Sequence, residues 1–196
     1  MGNWPGVTVE KKEGNYSYKG YKVKVVDLPG VYSLTAYSPD EVIARNFIVE
    51  GRPDAVVDIV DASNLERNLY LAVQILEMKA PLVIALNMTD IAESRNYRID
   101  VDGLSREIGA AVVPMVANRN RGTDALLKEI VTIYERKGEK KEIKLYYGHE
   151  LEEHIGELEH IISGDEELSR RYPPRWLAIK LLEEDEEVLQ KIGGKP

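Results

Sequence analysis

Apolar and polar residues alternate in steps of two near the start of the chain and in runs of three and four further on. "VTVEKKEGNYSYKG", from Val7, alternates as a half-exposed strand does, and "YKVKVVDL", from Tyr21, does so again, with Gly20 between them. Two such runs across a glycine turn predict an antiparallel hairpin. "DLPG", Asp27 to Gly30, stops the second strand. A helix follows in "YSPDEVIARNFIVEG": Ser38 is suited to the N-cap, Pro39 to the first helical position, and Asp40 and Glu41 to the first turn, with an end near Gly51. "DAVVDIVDA" is apolar without alternation, which predicts a strand buried on both faces. Amphipathic helices in "NLERNLYLAVQILEMKA", "DVDGLSREIG" (stopped by Gly109) and "GTDALLKEIVTIYERKG" then alternate with strands in "PLVIALNMTD" and "AAVVPMVA". That alternation, from residue 54 to about 137, predicts a mostly parallel sheet with helices on both faces, an α/β fold. The charged, glycine-bearing "KGEKKEIKLYYG" reads as a linker. "HELEEHIGELEHIISG" and "PPRWLAIKLLEEDEEVLQKIG" beyond it read as helices with no strand between them, a small all-helical appendix.

Composition removes several kinds of chemistry. The 196 residues carry a formal charge of −8, which argues against a nucleic-acid partner, since such proteins present a basic footprint. With no cysteine there is no disulfide, thiolate metal site or cysteine nucleophile. The three histidines, His149, His154 and His160, lie at helical spacing among glutamates, where a solvated amphipathic face explains them better than a metal site. No apolar run reaches the ~20 residues a bilayer requires, and no signal peptide is evident, so the chain is expected to be soluble.

Three short stretches fall at predicted strand ends, where open parallel sheets keep their ligands. In "DLPG", Asp27 suits a metal-bound water and Gly30 a backbone N–H close to a phosphate, although the same residues make an ordinary turn. In "NMTD", Asp90 can accept the ring N–H and amino group of a guanine while Asn87 pins the loop and touches the base edge, although Asn or Asp here can equally cap a helix. In "VANRNRG", Val116 to Gly122, the Ala117 N–H can meet the guanine carbonyl oxygen, or the stretch is a plain loop. Taken together and in this order, they are the layout of a guanine-nucleotide-binding domain, with phosphate chemistry at one end of a crevice and base recognition at the other.

The longer stretches are more specific. "GNWPGVTVEKKEG", "VVDLPGVYSLTAYSPDE" and "ERNLYLAVQILEM" resemble the N-terminal cytosolic G domain of the ferrous iron transport protein B (FeoB) family, and "RYPPRWLAIKLLE" resembles the helical spacer domain that follows it. Met88, where most GTPases have lysine, also fits that family. The resemblance covers essentially the whole chain. It implies a P-loop-GTPase-like (Ras-like) fold, with a G domain over 1–138 and part of the helical spacer over 139–196. It implies GTP or GDP with Mg²⁺ as ligands: Thr8 as the first-switch threonine on Mg²⁺, Asp27 holding Mg²⁺ through water, Gly30 sensing the γ-phosphate, Asn87 and Asp90 reading guanine, and Ala117 supporting that reading. "VYSL" stands where Ras-like proteins carry a catalytic glutamine nearby, so hydrolysis is expected to be slow. The full-length relative would sit at the cytoplasmic face of the cell membrane, its switch movements coupled to a membrane domain that passes Fe²⁺.

One departure governs these expectations. None of the fifteen glycines begins Gly-x-x-x-x-Gly-Lys-Ser/Thr, the loop whose N–H groups and lysine cradle the β- and γ-phosphates. "GGKP" at 193–196 has a lysine but no first glycine at the right distance and no following helix. In the family the first strand, phosphate loop and first helix precede "GNWPG", and this chain starts at Met1 just before it. Val116 is a second departure, since Ser or Thr is more usual before that alanine. Impaired nucleotide binding and hydrolysis are therefore expected of this chain. So is one of three structural outcomes: direct pairing of the "VKVV" and "DIVD" strands that flank the missing one, a homo-oligomer or strand-swapped dimer, or a fragment of a longer chain. A non-catalytic, G-domain-derived interaction module is the alternative.

Overall fold

The computed structural model describes residues 2–3, 10–136 and 145–193. Thr8, Trp4 and the linker from Lys137 to Lys144 lie outside them.

Strands β1 (Gly2–Asn3), β2 (Glu10–Tyr18) and β3 (Tyr21–Asp27) form one antiparallel sheet, with β2 in the middle. The β2–β3 register runs from Lys12 opposite Asp27 to Tyr18 opposite Tyr21. Lys19 and Gly20 turn the hairpin with φ of 46° and 87°, the left-handed pair that matches strand twist and that glycine makes accessible. Helix α1 (Pro39–Gly51) begins as its sequence predicts: the Ser38 side chain accepts from the Glu41 N–H, and Glu41 reaches back to the Ser38 N–H, a capping box.

The second sheet holds β4 (Val56–Asp61), β5 (Leu82–Asn87) and β6 (Ala111–Pro114), all parallel, with β5 central. Helices α2 (Leu65–Glu77), α3 (Thr89–Ser94), α4 (Val101–Ile108) and α5 (Thr123–Glu135) make the connections. One face of this sheet packs Val56, Val60, Ile84 and Leu86 into a cluster with Ile48 of α1 and Ala72 and Ile75 of α2. The other face packs Val83, Ala85 and Val113 against Leu126, Ile130 and Ile133 of α5. This is an α/β arrangement, helices on both faces of a parallel sheet.

Direct pairing of β3 with β4 does not occur. Among the described residues the two sheets are separate, and β3 and β4 each leave one edge without a strand partner. The expectation that "DAVVDIVDA" is buried on both faces is corrected as well. Val56, Asp58 and Val60 point inward, whereas Ile59 is 69% exposed and Val57 36%. The physical reason is coverage: α5 packs on Val83, Ala85 and Val113 of β5 and β6, and Val57 and Ile59 of β4 are not part of that cluster.

The remaining helices are α6 (His149–Gly164), α7 (Glu166–Arg171), α8 (Pro174–Leu182) and α9 (Glu186–Ile192). Leu177 and Ala178 of α8 are fully buried and Trp176 stacks on Tyr172 at 5.8 Å, all in the same cluster as α1 and α2. The last apolar run makes two helices rather than one. Glu184 takes a φ of 53° and Asp185 caps α9 by accepting from Val188 N–H, so the chain turns at 183–185. The turn places Asp185 on Arg45 of α1, a fully buried guanidinium that donates to Asp185 at 2.6 Å and also to Glu187.

Candidate nucleotide site

At the phosphate end, Asp27 closes β3 and is exposed. The loop after it is held from two sides. Leu34 N–H donates to Gln74 Oε1 of α2 at 2.7 Å in the interior, and Ser33 Oγ and Tyr37 N–H donate to the Glu41 carboxylate of α1 at 2.8 and 2.9 Å. The Arg67 guanidinium lies 4.1 Å over the Tyr32 ring, a further tie to α2. A side-chain carbon built at Gly30 would meet nothing within 4 Å, so a ligand can approach this stretch of backbone. A cleft of about 270 Å³ opens there, lined by Gly30, Val31, Tyr32, Asp58, Asn68 and Leu71 among others.

Asp58 was not singled out by the sequence. It sits in β4 with its carboxyl buried, one oxygen without a hydrogen-bond partner, and burial raises its pKa to about 6. Its trace in the sequence is a charged residue in the middle of an otherwise apolar strand. Gln74 and Arg67 were also missed, because their partners lie far away along the chain.

At the base end, β5 and β6 deliver two loops side by side. Met115 N–H donates to Leu86 O at 2.8 Å, and Thr89 donates to Met115 O through its N–H at 3.3 Å and its hydroxyl at 3.1 Å. Ala117 N–H donates to Asn87 Oδ1 at 3.0 Å, so here it pins the two loops together. Met88 turns the chain with φ of 59°, and α3 begins immediately after it. Asp90 stands in the first turn of α3, half-buried; its Oδ1 accepts from Ile91 N–H at 3.0 Å and its Oδ2 faces Arg119 at 3.7 Å. Asn87, Asp90 and Ala117 are thus brought to one place, whereas Asp27 and Gly30 belong to the other sheet's end. Behind the base loops a larger cleft of about 300 Å³ has Leu86, Tyr97, Val101 and Met115 in its wall; it contains none of Asn87, Asp90 and Ala117. The three histidines are exposed on α6, and among the described residues no cluster of three or more metal-binding side chains occurs.

The model of the family described as ferrous iron transport protein B matches residues 1–130, and that of the FeoB cytosolic helical domain matches residues 147–196. The chain belongs to the FeoB family. Among FeoB relatives, the Fe(2+) transporter FeoB of Escherichia coli (strain K12) is 45% identical over 189 residues, covering 94% of this chain and 24% of the relative. A Fe(2+) transport protein A/Fe(2+) transporter FeoB fusion protein of Porphyromonas gingivalis is 40% identical over 100% of this chain and 24% of its own length. The chain thus spans about a quarter of the length of the curated FeoB relatives it matches. The solved cytosolic domain of T. maritima FeoB in a GDP form superposes with a TM-score of 0.91 at 37% identity, over 100% of this chain and 76% of that one. The FeoB G domain of Methanococcus jannaschii is 53% identical, with a TM-score of 0.63 over 66% of this chain and 83% of that one.

Proposed function

We propose that this chain is the guanine-nucleotide-reading, regulatory part of a ferrous iron transporter. A G domain spans 1–138 and a helical spacer 139–196. In the whole protein, at the cytoplasmic face of the membrane, GTP binding and slow hydrolysis are coupled to Fe²⁺ uptake through a membrane domain. The observation that carries this reading is the base seat: Asn87 and Ala117 staple two strand-end loops together, and Asp90 stands beside them with a carboxylate able to accept two hydrogens. Membership of the FeoB family supports the same reading. No helix among the described residues is long and apolar enough to cross a membrane.

Mg²⁺ fits the residues present in a limited way. The ion keeps several waters and takes one or two carboxylates plus nucleotide phosphates. Asp27, exposed at the end of β3, can serve as that one carboxylate; the second protein group that the family resemblance implies, Thr8, lies outside the described residues. Bound there, Mg²⁺ would neutralise phosphate charge. Asp27 would hold the ion through water, and the Gly30 backbone N–H, with open space around it, would meet the terminal phosphate. With no phosphate-loop lysine in the sequence, tight binding needs phosphate-holding groups from elsewhere.

Calorimetric titration with GDP and GTP in the presence of Mg²⁺, on the wild type and Asp90→Asn, tests this. Binding that the Asp90→Asn change removes supports the reading; binding of equal strength by the two proteins refutes it. The second reading, a G-domain-derived interaction or oligomerisation module, draws on the exposed Val57 and Ile59 and on the edges of β3 and β4 that have no strand partner among the described residues. A strand-swapped homo-oligomer that does not titrate with nucleotide would favour it.

A further inference from the structure

Asp90 already has a cation facing it. Arg119 Nη1 lies 3.7 Å from Asp90 Oδ2, while Oδ1 takes the Ile91 N–H. A guanine needs both oxygens, one for its ring N–H and one for its amino group. The Arg119 side chain is 65% exposed and 3.7 Å is beyond direct hydrogen-bond reach, so this pair is weak and easily opened.

The backbone that carries Arg119 is fixed. Arg119 ends a 3₁₀ turn from Ala117, its N–H donates to Val116 O at 3.0 Å, and Asn120 N–H donates to Ala117 O at 3.0 Å. Val116 and Arg121 bridge the base of the loop in both directions, at 3.1 and 3.2 Å. The loop can therefore stay still while the Arg119 side chain swings away into solvent.

We propose that Arg119 is a placeholder cation of the base seat. It neutralises Asp90 while the seat is empty and must leave Oδ2 when guanine arrives. It is thus a positioning residue that sets guanine affinity by competition, not by contact with the base. The inference rests on the guanine reading of Asp90 given above. Its signature is ionic: salt weakens the Arg119–Asp90 pair, so a neutral guanine ligand should bind more tightly as salt rises, the reverse of a phosphate-driven interaction.

The test uses guanosine, which carries no phosphate, titrated into the whole chain by NMR or calorimetry. Wild type, Arg119→Ala, Arg119→Lys and Asp90→Asn are compared at about 0.05 and 0.5 M KCl, either side of the range where surface pairs are screened. At low salt, Arg119→Ala should bind guanosine about two- to fivefold more tightly than wild type, the range of an exposed ion pair. At high salt the gap should close, because wild type gains affinity and Arg119→Ala does not change; Arg119→Lys should follow wild type. If guanosine binds wild type and not Asp90→Asn, yet Arg119→Ala binds equally or more weakly, the placeholder role is wrong and the guanine reading stands. If guanosine binds none of the four, or binds Asp90→Asn as well as wild type, both fail together.

Discussion

Asp58 offers the sharpest physical test of the fold. Its carboxyl is buried beneath the Gly30 loop, one oxygen has no partner, and its pKa is raised from 3.8 to about 6 by burial. A carboxyl with a raised folded-state pKa binds more protons folded than unfolded between those two values. Stability contributed here is therefore intact below pH 4 and lost as pH climbs through about 6. Above that, the buried charge costs about 3 kcal/mol, taken from the size of the shift. Asp58→Asn removes the charge and keeps the shape. Urea unfolding at pH 4 and at pH 8 should then show Asp58→Asn and wild type nearly equal in acid, with the variant more stable by up to about 3 kcal/mol in base. A difference that is the same at both pH values, or a variant less stable at pH 8, would refute the burial argument. It would mean that Asp58 has a cationic or hydrogen-bonding partner that holds it ionised.

Arg45→Ala should lower unfolding stability by about 3–5 kcal/mol, because it leaves Asp185 buried without its cation, and denaturant titration would detect this. Asp185 also caps α9, so the loss should appear first as faster amide exchange at Val188 and Leu189. Gly122→Ala should cost about 2 kcal/mol or more: φ is +88° and the added carbon would lie 2.4 Å from Pro114 O. The same change should shift the amide resonance of Ala117, since the clash lies at the root of the loop that carries it. Glu77, whose pKa is raised to about 7 by burial and held back in part by Lys180, should make Glu77→Gln neutral for stability near pH 4 and stabilising above pH 7.

Most of the elements were legible because their determinants are local. Ser38, Pro39 and Glu41 specify the start of α1 within four residues of each other, and Lys19-Gly20 specifies the hairpin by its own backbone preference. Gly109 ends α4 in the left-handed conformation for the same reason. The short helices α3 and α7 escaped notice because six residues are too few to display a period. The break at 183–185 escaped it because Asp185 turns there to meet Arg45, a residue 140 positions away.

The candidate site divides along the same line. Its residue types and their order, Asp27 and Gly30, then Asn87 and Asp90, then Ala117, are in the sequence, as is the absence of a phosphate-loop motif. Their partners were decided by tertiary structure. That Ala117 N–H is taken by Asn87, that Arg119 faces Asp90, and that Gln74 holds Leu34 follow from which strand ends and helices lie side by side. Periodicity likewise assigned Val57 and Ile59 to a buried strand. Only the assembled sheet showed that one face of β4 is open, because burial depends on what packs against a strand as well as on how apolar the strand is.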